Sequence, residues 1–262
     1  MAVSVEAVSA PWRTRKAACA DHGVHERLCS FAKGVARMHR FKILGAVFVA
    51  ALAMGAVTAS AAFAATEFVA ETGEAKGTTF TVTSGASTLK DGNVVLTCTS
   101  AKNQSGKKSE ITSAMTVSTV LVFEGCGGKT GAGETCKIHS PGAANGSIET
   151  KLLTGKLGLL GAEKVGILFK PEEGTDFVTL ESEAGKDCVV TTEVERSIIG
   201  EVTPVNTFST EGKVTFTETS EKQTFRKFTG EEETNELKAF GSAARLVGTA
   251  NVTLSKKIKV TP

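Results

Sequence analysis

The sequence predicts an all-β protein: an antiparallel β-sandwich or flattened barrel of roughly ten strands, preceded by an N-terminal signal helix. Three observations lead there. Apolar and polar residues alternate with a period of two through most of the chain after residue 65. Thr, Val, Lys and Glu dominate that region and Gly-rich breaks divide it, as in an antiparallel sheet with one wet face. Helical composition is confined to Glu231–Phe240 (EEETNELKAF), enough for one or two turns.

The organisation is read in chain order as an N-terminal extension over 1–37, a signal peptide over 38–64 and a single secreted β domain over 65–262. Met38-His39-Arg40-Phe41-Lys42 is a basic patch, and Ile43 to Val57 carries no charge. Ala62-Phe63-Ala64 then satisfies the A-x-A rule, which places cleavage before Ala65. The uncharged run is long enough to span a bilayer. Its second half is mostly Ala, Ser, Thr and Gly, however, and no basic cluster follows, so cleavage is expected over a retained anchor. Residues 1–37 precede a complete signal and are read as an overlong reading of the gene, with a long n-region as the alternative.

Cleavage changes the charge. Taking the eight basic and three acidic residues before Ala65 from totals of 30 and 28 leaves 22 basic and 25 acidic, a mildly acidic domain. Nucleic acid is excluded on that ground, because its affinity comes mostly from Lys and Arg at phosphates. The chain has no Tyr, and its one Trp, Trp12, lies before the domain. Phe is therefore the domain's only aromatic, suited to filling a core, and it lacks the polar handle of sugar-stacking Trp or Tyr.

Within the domain, Phe80 and Val82 alternate with Thr residues, and Asp91-Gly92 signals a hairpin turn. Met115, Val117, Leu121 and Phe123 share one face. Ile148-Thr150-Leu152, Val165-Ile167-Phe169, Cys188-Val190-Thr192-Val194 and Val214-Phe216 follow in the same pattern. Gly155, Gly158 and Gly161 argue against a helix over Lys151–Lys164. The last strand is the clearest, with Leu246, Gly248, Ala250, Val252, Leu254, Ile258 and Val260 on one face. Lys256, Lys257 and Lys259 are expected to protect it as an edge.

Four cysteines fall in the domain, Cys98, Cys126, Cys136 and Cys188; an even number in an exported chain implies two disulfides. Cys126–Cys136 is favoured as a clamp on the Gly-rich loop GGKTGAGET, with Cys98–Cys188 left by elimination. No metal is expected, since no C-x-x-C occurs and His139 is the domain's one histidine.

Motifs that imitate catalysts fail on their surroundings. Gly128-Lys129-Thr130 lacks the earlier Gly of a phosphate loop, because Phe123 stands there. Ser87-Thr88-Leu89-Lys90 and Lys129-Thr130-Gly131 match penicillin-binding motifs, but Ser87 lies in strand sequence, not at the start of a helix. His139 would need Asp91, Asp176 or Asp187 beside it for a triad and is read as a solvated surface residue. Glu181/Glu183 and Glu193/Glu195 each fall on one strand face, where a solvated exterior is expected before glycosidase work. Glu231-Glu232-Glu233 is read as a solvated turn.

From Cys98 to Val260 the chain resembles a group of uncharacterised secreted proteins of actinobacteria. The residues that carry this are Phe123-x-Gly125-Cys126, Cys136, Gly146-Ser147-Ile148-Glu149-Thr150, Leu153-Thr154-Gly155-Lys156-Leu157-Gly158, Val165-Gly166 and Ile199-Gly200-Glu201-Val202-Thr203-Pro204-Val205-Asn206. The chain departs from the group at Arg196-Ser197, where Gly-Ser is more typical. The resemblance implies no activity and no site residues. It does imply a bacterial source, so the glycosylation triplets at Asn103, Asn145 and Asn251 are read as chance.

The expectation is an exported, non-enzymatic β domain with no cofactor. It would act as an interaction or structural protein on an unknown extracellular or cell-envelope partner, away from the membrane once cleaved. Two alternatives stand beside it: a secreted hydrolase using carboxylates, and a small-ligand carrier with a Phe-lined barrel cavity.

Overall fold

The computed structural model describes residues 65–92, 94–129, 135–182 and 191–262. The leader over 38–64, with Ala62 and Ala64, lies outside them, as do residues 1–37, Glu183, Asp187 and Cys188; Ala65 is the first residue described. No helix among the described residues is long and apolar enough to cross a membrane.

The fold is all-β. In chain order the strands are β1 (Glu67–Ala70), β2 (Phe80–Ser84), β3 (Ser87–Asp91), β4 (Val94–Cys98), β5 (Ser100–Asn103), β6 (Glu110–Ile111) and β7 (Thr116–Thr119). Next come β8 (Leu121–Glu124), β9 (Gly127–Lys129), β10 (Thr135–His139), β11 (Ile148–Glu149), β12 (Leu153–Leu159), β13 (Val165–Pro171) and β14 (Asp176–Ser182). The last are β15 (Thr191–Arg196), β16 (Ile198–Thr203), β17 (Ser209–Phe216), β18 (Glu218–Thr219), β19 (Lys222–Gln223), β20 (Leu237–Ala239) and β21 (Ser242–Thr261). Nineteen of them join one antiparallel network and β18–β19 is a separate hairpin. This exceeds the ten expected, in part because some ladders are interrupted, as where β4 and β5 are separated by Thr99 alone.

Eight strands close on themselves in the order β21-β3-β4-β9-β10-β14-β15-β20 and back to β21. The structure is thus a barrel, not a sandwich, and closure removes the edges of these strands. Seven further strands form a second curved wall on the C-terminal part of β21, running β2-β21-β17-β16-β13-β12-β7-β6. A bridge between Thr79 and Glu110 joins the two ends of this wall.

β21 is shared by both rings. Its first residues pair with β20 and β3, and its later ones with β2, β17 and β1. Ala250, Val252 and Leu254 are half-buried while Thr249, Asn251, Thr253 and Ser255 are exposed, as its alternation predicts. It is not an edge, because β1 covers it at Ile258–Thr261. Its lysines serve other ends: Lys257 pairs with Glu71, the Lys256 ammonium donates to the Glu74 carbonyl, and Lys259 lies 5.0 Å over the Phe208 ring.

A second ladder also crosses between the rings. Val95, Leu96 and Thr97 pair with Lys129, Gly128 and Gly127; three residues on, Ser100 to Asn103 pair with Glu124 to Leu121 in the same register. Cys98 stands directly opposite Cys126 in this ladder, and the two form a disulfide with a Cα–Cα distance of 4.0 Å. This overturns the expected Cys126–Cys136 and Cys98–Cys188 pairings. Sheet register brings Cys98 to Cys126, whereas Cys136 lies opposite Gly128. Cys136 is also disulfide-bonded.

Two other expectations change. Glu231–Phe240 contains no helix and supplies β20 at Leu237–Ala239, because Leu237 and Ala239 are buried against the barrel at a spacing of two. The inward parity expected through Ile148, Thr150 and Leu152 shifts by one at the start of β12, so Leu152 is exposed and Leu153 is buried. Elsewhere among the described residues the pattern holds. β3 and β4 pair as far as Asp91↔Val94 and turn at Gly92 with φ +43°, and Lys151–Lys164 contains a strand, not a helix.

Candidate functional site: an apolar cavity inside the barrel

Period-two alternation sends one set of side chains inward, and those of the barrel and of the second wall meet around one space. They line a cavity of about 230 Å³. Six phenylalanines line it: Phe68, Phe80, Phe123, Phe169, Phe177 and Phe216. Aliphatic side chains such as Leu96, Val117, Ile167, Leu180, Val214 and Val252 fill the spaces between them. The volume is half again that of an engineered ~150 Å³ apolar cavity that stays dry and admits benzene.

Small residues stand opposite rings in this wall. Phe169 pairs with Gly155 across β12–β13, and Phe216 pairs with Gly248 across β17–β21. A Cβ on Gly155 would come within 2.7–2.9 Å of Val117, Ile167 and Phe169; one on Gly200 would come within 2.5–3.0 Å of Val214 and Phe216. The Phe169 and Phe216 rings, 6.4 Å apart and tilted, occupy the positions these glycines vacate. The glycines of Leu153–Gly158 and Ile199–Gly200 are thus packing positions for aromatic rings.

The few polar side chains on the wall are largely satisfied within it. Thr150 Oγ1 accepts from the Leu121 N–H at 3.0 Å. Thr119 and Ser109 share a hydrogen bond of 2.8 Å, and the Asn103 amide donates to both. Asn103 Oδ1 accepts from the Val82 N–H, so this side chain is engaged inside the fold.

Several sequence-predicted groups lie elsewhere. Ser87 and Lys90 are three apart in one strand and so project to opposite faces: Ser87 lines the cavity, and the Lys90 ammonium pairs outside with Glu218 at 2.7 Å. His139 is not solvated as expected. Its side chain is 16 % exposed, its Nε2 lies 3.9 Å from Glu181, and its buried Nδ1 has no hydrogen-bond partner among the described residues. Asp91 and Asp176 do not serve it, since they accept from Ser242 and Lys151 respectively.

Glu193 and Glu195 do share a face, joined there by Asp176. This is a strand exterior, where Glu195 pairs with Lys238 at 3.3 Å and Asp176 with Lys151 at 3.2 Å. Hydrogen bonds from Thr175 and then Lys151 hold the Asp176 carboxyl below its ordinary range. Glu231, Glu232 and Glu233 are exposed beside Lys156 and Lys170, above the buried ring of Phe228.

The chain matches no known family model, no characterised protein and no solved structure. The one piece of the site that sequence reasoning missed is the Gly–Phe pairing, and its signal is present: inward-parity Gly155, Gly200, Gly248 and Ala250 break runs of otherwise large residues.

Proposed function

We propose that this protein is an exported, non-enzymatic carrier that holds a small apolar molecule inside its barrel. The observation that carries this reading is the Phe-lined cavity that side chains of the barrel and of the second wall surround. Of the three roles the sequence leaves open, a carrier is the one that requires such a space. A core meant only for stability fills to the density of an organic crystal, and an unfilled volume of this size forfeits contacts on every lining side chain. The carboxylate reading draws less support, because Asp176, Glu193 and Glu195 lie outside among lysine partners and Glu211 is the one acidic residue on the cavity lining. Export rests on the leader, and kinship with the secreted actinobacterial group rests on the motifs given above. A destination outside the cytoplasm suits a carrier stapled by disulfides.

The test is titration of the purified domain with a fluorescent apolar probe. The wild type is expected to bind one equivalent. Ala250→Phe and Ala101→Leu, which fill the cavity from different strands, are expected to abolish binding, while Asn251→Phe on the exposed face of β21 is expected to retain it. Equal binding by the filled and unfilled proteins would place the probe on the surface and overturn the proposal.

A further inference from the structure

One buried hydroxyl on the cavity wall stands without a partner. Ser87 opens β3 on the same face as Leu89, both line the cavity, and Ser87 is 8 % exposed. Its Oγ makes no hydrogen bond among the described residues. The other two buried polar residues of the lining are engaged, Thr119 with Ser109 and Asn103, and Thr150 with the Leu121 N–H. Toward the outside, the Ser84 hydroxyl donates to the Gly85 carbonyl and Ser209 Oγ accepts from the Glu211 N–H. Thr203 and Thr249 are exposed.

Packing explains why residue 87 is small, but not why it is polar. A Cβ on Gly248 would lie 2.9 Å from the Ser87 Cβ, and Cys98 of the disulfide stands opposite Ser87 across β3–β4. Alanine would suit both neighbours equally well. A hydroxyl in this place costs free energy unless something pairs with it, which is why native folds pair nearly all their buried polar groups. Water is a poor partner here, because an interior water takes about two to four polar contacts and Ser87 offers one. A bound molecule carrying one oxygen would satisfy the hydroxyl and leave the rest of its surface to the phenylalanines.

Charge on that molecule has no support from the wall. The charged residues of the lining are Glu211 and Lys213, exposed on β17 opposite Thr253 and Asn251, which are exposed too. An ionised carboxylate entering the buried part would lose its hydration and meet no counter-charge among the described residues.

We infer that the ligand of the carrier reading, on which this step rests, is an uncharged apolar molecule with one hydroxyl or carbonyl oxygen, and that Ser87 Oγ binds this oxygen. A serine hydroxyl both donates and accepts, so it serves either group.

Fluorescence titration of the domain at neutral pH with naphthalene, 2-naphthol, 2-acetylnaphthalene and 2-naphthoate separates the outcomes, because the four share one skeleton. At least one of the two neutral oxygenated compounds is expected to bind about fivefold more tightly than naphthalene, the gain one neutral hydrogen bond supplies. Whichever binds better identifies the oxygen. The naphthoate is expected to bind at least tenfold more weakly than that compound. Ser87→Ala, which keeps the Cβ, is expected to bind naphthalene as the wild type does and to lose the preference for oxygen. Equal binding of naphthalene and both neutral derivatives by the wild type would overturn this inference and leave the carrier reading standing. So would a preference that survives Ser87→Ala, or tightest binding of the naphthoate. Failure of all four compounds and of the apolar probe would overturn both.

Discussion

Arg196 ends β15 with φ +79°, in the left-handed region that an L-residue with a Cβ enters at a cost of roughly 1–2 kcal/mol. Its backbone cannot relax easily. The Arg196 N–H donates to the Thr175 carbonyl at 2.7 Å, and the residue pairs with Leu237 of β20. The side chain is exposed and makes no ion pair among the described residues, so replacing it sacrifices little. Arg196→Gly removes the backbone strain, against which stands glycine's larger freedom in the unfolded chain, about 0.5–1 kcal/mol. The expected net gain is about 0.5–1 kcal/mol, which for a domain of this size raises Tm by about 1–4 °C. Thermal unfolding followed by circular dichroism reads this directly. Arg196→Ala is the control, because it removes the same charge and keeps the Cβ. If alanine stabilises as much as glycine, the effect is one of charge and the backbone argument fails. A fall in Tm for Arg196→Gly would refute it outright.

Other perturbations test other parts of the fold. Removing the Cys98–Cys126 disulfide by a double alanine substitution opens a loop of 28 residues and should cost about 3.6 kcal/mol by the chain-entropy relation; denaturant titration under non-reducing conditions measures it. Gly200→Ala drives a methyl to within 2.5–3.0 Å of Val214 and Phe216 and should cost about 1–3 kcal/mol, seen as a lower denaturation midpoint with an unchanged slope. Glu218 is hydrogen-bonded by Lys90, and then by Arg245 at 2.6 Å, which together hold its carboxyl below the ordinary 4.5 against the opposing effect of burial. The sign follows: its contribution is present above the unfolded value and is lost as pH falls through the lowered folded value. Glu218→Gln should therefore flatten the acid limb of the stability–pH curve and leave the dependence above pH 6 unchanged.

Much of the barrel is legible in the sequence because a strand writes its two faces in alternate residues. Phe80 and Val82, Val117 and Phe123, Val165 to Phe169 and the length of β21 each declare the inward face. The disulfide was not legible. Spacing along the chain favours the ten-residue loop between Cys126 and Cys136, whereas the partner is fixed by a ladder between β4–β5 and β8–β9 that no local pattern reveals. The segment at Glu231–Phe240 misled for a related reason: its helical composition is overridden by burial of Leu237 and Ala239 in a short strand. The cavity lies between these cases. Its phenylalanines are visible, but volume depends on which small residue faces which ring, and Phe169↔Gly155 and Phe216↔Gly248 are matters of register.

The most direct test of the central claim is a crystal structure of the domain under xenon pressure. Xenon is expected inside the barrel, between the rings of Phe169 and Phe216 and the β21 side chains near Val252. An interior closed by side chains, with xenon confined to surface clefts, would contradict the account.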